Sequence, residues 1–149
     1  MASVKSVNVT NLDATPSVMV DAASNTGSLH VHYDTYEASS LTSGSDITIA
    51  RLPVGATVHN VILKCDALGG SSTLKVGDAS DDDRYMAAVG TWNVAGQTQS
   101  MLAGSSAGAA QTPVTGLGYV ITSSTTDLVI TTGGATISGS IHLWVHYAY

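Results

Sequence analysis

Apolar residues recur at every second position along this chain, and almost nowhere at the spacing of a helix face, so strands are predicted throughout. The clearest stretch is Leu29-His30-Val31-His32-Tyr33-Asp34, with Leu29, Val31 and Tyr33 on one side and His30, His32 and Asp34 on the other. The C-terminus repeats the pattern: Ile141, Leu143, Val145, Tyr147 and Tyr149 share one face, and His142, Trp144 and His146 share the other. Val4 to Val9 alternates weakly, and Val18-Met19-Val20 is short. Asp46 to Leu52 carries Ile47 and Ile49 on one face, and Thr57 to Asp66 is the longest β-branched run. Thr73 to Val76 and Arg84 to Val89 flank an acidic turn. Gly118 to Thr122, Asp127 to Thr132 and Thr136 to Tyr147 complete the set. No segment reads as a helix.

The gaps carry turn chemistry. Leu52-Pro53-Val54-Gly55-Ala56 separates two strands, while Gly69-Gly70 and Gly133-Gly134 are predicted tight turns, because glycine reaches positive φ without steric cost. Short strands with frequent turns imply an all-β fold, and about eight strands in two sheets make a jelly-roll-like antiparallel β-sandwich the leading topology. An immunoglobulin-like sandwich comes second, without the Cys…Trp…Cys pattern of that fold. Residues 93–115 break the rhythm with Gln97-Thr98-Gln99 and a run of small residues, and read as a long loop, either freely exposed or ordered against a neighbouring subunit.

Composition narrows the function. The 149 residues suit one domain, large enough to form a core without disulfides or metal. Charged residues are only 11% of the chain, against roughly 25% in an average domain, which suits a surface that rests against other protein. The net charge is −6, and Lys5, Arg51, Lys64, Lys75 and Arg84 are scattered, so no basic stripe exists for nucleic acid. No run approaches the length of a membrane span, and the N-terminus lacks the apolar core of a signal peptide. Synthesis in a cytosol is therefore expected.

Candidate chemistry is sparse. Cys65, the single cysteine, lies in an apolar run and reads as a small buried hydrophobe. The cluster Gly77-Asp78-Ala79-Ser80-Asp81-Asp82-Asp83 offers carboxylates to a cation but lacks the EF-hand pattern, so an Asp-rich structural turn is favoured. His30 with His32, and His142 with His146, each share a strand face, and if the two strands were neighbours several imidazoles could converge on a metal. Trp92, Trp144, Tyr119 and Tyr36 are candidate sugar platforms, with a protein interface the favoured reading. There is no Gly-x-Ser-x-Gly elbow, no phosphate-cradling loop, and Glu37 is the sole glutamate. No catalytic, cofactor-binding or metal-binding residue is assigned, and no enzyme activity is expected.

Several blocks together carry a resemblance. Leu52-Pro53-Val54-Gly55-Ala56-Thr57-Val58, then 76–86 (VGDASDDDRYM), Gly118-Tyr119-Val120-Ile121-Thr122, and 139–147 (GSIHLWVHY) resemble the small structural proteins of tailed bacteriophages, of the head decoration or cement type. The resemblance spans residues 46–149. It implies a jelly-roll or related sandwich, assembled as a homotrimer, bound to the major capsid protein on the outer face of the virion capsid. It implies no cofactor and no catalytic residue, while the scattered cations and the lack of a span argue against a nucleic-acid or membrane partner. Similar proteins extend an N-terminal arm across the capsid, which would assign residues 1–15 to an arm and 16–149 to the sandwich, with Val4, Val7 and Val9 alternating as an added strand requires. Contacts in the trimer and with the capsid would cover strand edges that otherwise invite aggregation. Another virion part, such as a tail, knob or receptor-binding module, is the alternative, followed by a carbohydrate-binding sandwich outside viruses.

Overall fold

A computed structural model describes residues 5, 7–18, 28–90, 92–103, 115–122 and 124–149. The short helix α1 (Val7–Leu12) precedes eight strands among the described residues: β1 (Leu29–Leu41), β2 (Asp46–Leu52), β3 (Thr57–Cys65), β4 (Thr73–Asp78), β5 (Asp81–Gly90), β6 (Gln97–Ser100), β7 (Thr126–Gly133) and β8 (Ile137–Ala148). They form two four-stranded sheets ordered β1-β8-β3-β6 and β2-β7-β4-β5, with every pairing antiparallel. That order, in which the chain crosses between sheets and the first strand lies beside the last, is a jelly roll. The all-β sandwich read from the alternation is the fold observed.

The core fills the space between the sheets. Val58, Val61, Leu63, Ile141, Leu143 and Val145 from the first sheet meet Ile47, Ile49, Leu52, Leu74, Val76, Leu128 and Ile130 from the second, all buried. Alternation fails where the register slips. Ile49 and Ala50 are consecutive and both buried because a bulge lies between Thr48 and Ala50, where an extra residue re-aims the strand. Fully buried side chains of this size contribute about 1.5–3 kcal/mol each.

Several sequence expectations need correction. Residues 7–12 form a helix rather than part of a strand: the Asp13 amide donates to the Val9 carbonyl at 3.0 Å, and Lys5 pairs with Asp13 at 2.7 Å. A segment without a sheet neighbour closes its backbone hydrogen bonds within itself, and period-two spacing cannot override that. Residues 97–100, read as loop, are strand β6 against β3. Their run Gln97-Thr98-Gln99-Ser100 carries no apolar residue to announce it, although Gln99 is buried. Residues 118–122 are not a full strand, because only Val120 makes a bridge, to Thr57. Asp81 to Asp83 belong to β5 rather than to the turn, which is tightened to the pairing Asp78–Asp81. Val18 lies outside any strand, and Met19-Val20 and residues 104–114 fall outside the described residues.

Candidate assembly surface

Directly opposed residues of an antiparallel pair project from the same face. The register therefore draws rows across the outer face of the first sheet. Tyr33 opposes Trp144, Trp144 opposes Ile62, and Ile62 opposes Ser100. One side of this row holds Val31, His146 and Asn60, and the other holds Thr35, His142, Lys64 and Thr98. The Tyr33 and Trp144 rings stack with centroids 4.9 Å apart, and His142 lies nearly parallel to Tyr33 at 6.2 Å. The Tyr33 hydroxyl and His142 Nδ1 are hydrogen bonded at 3.0 Å. Such an aromatic pair is worth about 0.5–1.5 kcal/mol beyond its area, so the rings hold a fixed platform.

This face lies in solvent. Leu29, Val31 and Tyr33 are 64%, 55% and 51% exposed, so the more apolar side of β1 turns away from the core. The opposite side of β1 bears His30, His32, Asp34 and Tyr36, opposed to Tyr147, Val145, Leu143 and Ile141 of the buried face of β8. His30 stacks on Tyr147 at 5.5 Å, and His32 Nε2 donates to the Ile49 carbonyl of the other sheet at 3.3 Å. On β1 the imidazoles of His30 and His32 thus face the core margin while Leu29, Val31 and Tyr33 face outward. Covering apolar surface gains roughly 25 cal/mol per Å², and a rigid aromatic pair among aliphatics has the make-up of a protein-binding patch.

β1 also ends its sheet. It pairs with β8 without a register shift from Leu29 to Ala38, and its other edge meets no strand among the described residues. The edge carries no Lys, Arg or Pro, and its only charges are Asp34 and Glu37, so its first five residues, Leu29 to Tyr33, are uncharged.

The chain is similar to chains in phage capsid structures. In the cyanophage Pam1 capsid asymmetric unit a chain is 26% identical, with a TM-score of 0.66 over 91% of this chain and 96% of that one. The capsid of Ralstonia phage GP4 holds a chain 19% identical, with a TM-score of 0.59 over 87% and 88%. The acid-stable capsid of Helicobacter pylori bacteriophage KHP30 holds one 14% identical, with a TM-score of 0.57 over 83% and 90%. The last two likenesses concern the fold. No protein-family model and no curated protein matches the sequence.

The residues singled out from the sequence fall into different roles. β1 and β8 are indeed neighbours, but the register puts His30 and His32 on the inner face and His142 and His146 on the outer, so the pairs do not converge. Asp78 is buried and accepts four hydrogen bonds: Oδ1 from the Ser80 amide, the Ser80 hydroxyl and the Asp81 amide, and Oδ2 from Arg84 Nε at 2.7 Å. Burial pushes this carboxyl up, but the bonds from Ser80 and Arg84 outweigh it and hold it below its usual value. The favoured structural turn is therefore organised by Asp78. Carboxylate oxygens of Asp81, Asp82 and Asp83 lie within 4.8 Å of one another, with Lys75 paired to Asp82 and Arg84 near Asp81. A hydrogen bond with Asp81, burial and neighbouring charge raise the Asp83 carboxyl.

Trp92 is fully buried and serves neither as a sugar platform nor as an interface residue. Trp144 is half-buried on the outer face, as its polar-face position implied. Tyr119 is half-buried beneath the Arg84 guanidinium, 4.0 Å from its ring centroid, and Tyr36 lies on the inner side of β1. Cys65 is buried, and burial raises its thiol to about 12, which keeps it protonated. Val31 and Ile62 escaped the sequence reading as surface residues, because alternation separates two faces without saying which is inside.

Proposed function

We propose that this protein is a phage head decoration, or cement, protein that binds the outer capsid surface and stabilises the shell through non-covalent contacts. The observation that carries the reading is the 26% identity to the Pam1 capsid chain over nearly the full length of both chains. The exposed Tyr33–Trp144 platform and the free edge of β1 support it, because they offer an apolar, low-charge surface for another protein. In this reading the protein is made in the host cytoplasm, forms a homotrimer and contacts the major capsid protein. It has no catalytic role. Residues 1–15 serve as an arm carrying α1, beside the sandwich of 16–149. Many repeated contacts of modest strength multiply into firm attachment.

The test is sedimentation of purified protein with expanded shells of the phage that encodes it. It is expected to travel with shells, to ignore free capsid subunits and to raise the temperature at which shells disrupt. Failure to bind shells, with binding to tails or host cells instead, would replace this reading with a tail or receptor-binding one. A solution mass other than three copies would remove the trimer, and unchanged binding after deletion of residues 1–12 would remove the arm.

A further inference from the structure

The other broad face of the sandwich carries a different kind of surface. On the second sheet Thr48 of β2 opposes Val129 of β7, and both project away from the core. They floor a half-open cavity of about 460 Å³, walled by the Asp78–Ser80 turn, Tyr119 and residues 124–127. That size lies within the range of small-ligand sites.

The lining limits the ligand's chemistry. Thr48, Ser80, Ser124, Thr125 and Thr126 contribute hydroxyls, each able to donate and accept. The two carboxylates present are already neutralised. Asp78 is bonded to Arg84, and Asp127 accepts from Arg51 Nη2 at 2.9 Å and from Arg51 Nε. The Arg51 hydrogen bond and charge hold the Asp127 carboxyl low, so it stays an acceptor at neutral pH. Asp78 is buried and committed to four hydrogen bonds that organise the turn, so it acts as scaffold. Asp127 is half-exposed, and one face of its ion pair meets solvent. A site without net charge selects neither a cation nor an anion. Hydroxyls that both donate and accept, beside a polarised carboxylate, match the hydroxyls of a neutral polyol, while Tyr119, stacked under Arg84, forms a rigid wall.

We propose that this cavity binds a neutral saccharide unit. The site lies across the sandwich from the Tyr33–Trp144 platform, so a copy docked through that platform leaves the cavity open to the surroundings. The inference does not rest on the capsid reading.

The test is an amide NMR titration of the intact protein with the methyl glycosides of glucose, galactose, mannose and N-acetylglucosamine, and with sialic acid. At least one neutral glycoside is expected to give saturable shifts centred on Thr48, Ser80, Ser124, Thr125 and Val129. Thr48→Trp, placed on an exposed strand position, is expected to fill the cavity and weaken binding at least tenfold without changing the melting temperature. Asp127→Asn, which keeps the size and removes the charged acceptor, is expected to weaken it as well. Both variants should still sediment with shells. Absence of saturable shifts from all four neutral sugars, binding of sialic acid alone, or unchanged affinity in both variants would overturn the proposal.

Discussion

The two sheets end in edge strands of opposite character. β5 begins Asp81-Asp82-Asp83-Arg84, and its pairing with β4 slips twice, between Leu74 and Val76 and between Val76 and Asp78. Charge and bulges spoil such an edge as a template for another strand. Gly77 shows how tightly it is built: a Cβ there would lie 2.2 Å from the Asp82 backbone. β1 is longer, keeps its register through ten consecutive residues and exposes Leu29, Val31 and Tyr33. β5 is charged along its first four residues and its pairing slips, whereas β1 carries charge only at Asp34 and Glu37 and slips only beyond Ala38. The apolar start of β1 lies next to the Tyr33–Trp144 pair, and the proposed shell contact is placed on that side of the molecule.

The largest effect should come from the charged edge. Asp78→Ala strands Arg84 and three turn donors and is expected to cost about 3–5 kcal/mol in urea unfolding, with shell binding lost only as far as the fold is. Stability unchanged by that substitution would remove Asp78 as the organiser of the turn. On the open side, Trp144→Ala is expected to weaken shell binding by about 2 kcal/mol, roughly thirtyfold, as a central aromatic contact does. Its melting temperature should fall far less than that of Asp78→Ala. A variant that binds shells like the native protein would move the contact elsewhere.

Val31→Lys puts a charge into the apolar start of β1, which carries charge only further on, at Asp34 and Glu37. It is expected to reduce shell binding about tenfold and to suppress self-association, as seen by light scattering. Acid provides a smaller, graded test. Asp78 has a lowered folded pKa, so its contribution is complete above the unfolded value near 3.9 and is lost as pH falls through the lower folded value. Thermal melts should therefore weaken below about pH 4 in the native protein and show less of this slope in Asp78→Asn. The smallest effect is expected at Asp82→Asn, an exposed position, within about 0.5 kcal/mol of native.

The alternation at 29–34 and 141–149 was legible because a half-buried strand prints its two faces on the chain. It revealed neither which face is buried nor that β1 and β8 are partners. Both depend on residues more than a hundred positions apart meeting. β6 was hidden because its polar side chains lean on β3, which supplies the apolar mass. The helix at 7–12 was hidden for a related reason: alternating valines describe a strand only when a neighbour exists to complete the ladder. The acidic turn could be read in kind, because Asp beside Ser and Gly favours backbone capture. The polar cavity drew no notice because Thr48, Tyr119 and Asp127 are distant in sequence, and only the turn and the second sheet gather them.

The pairing of the first strand with the last sets a temporal order on the molecule's birth. Leu29 lies opposite Ala148, so β1 emerges from the ribosome long before its partner exists. Closing so long a loop is slow and comes late in folding. The Tyr33–Trp144 platform is split across that closure and is completed only once the chain has been delivered through β8. An interrupted or truncated chain therefore carries half of the platform and none of its stacking. The geometry ties the platform to closure of the first sheet, because only a chain that has formed β8 presents the stacked rings.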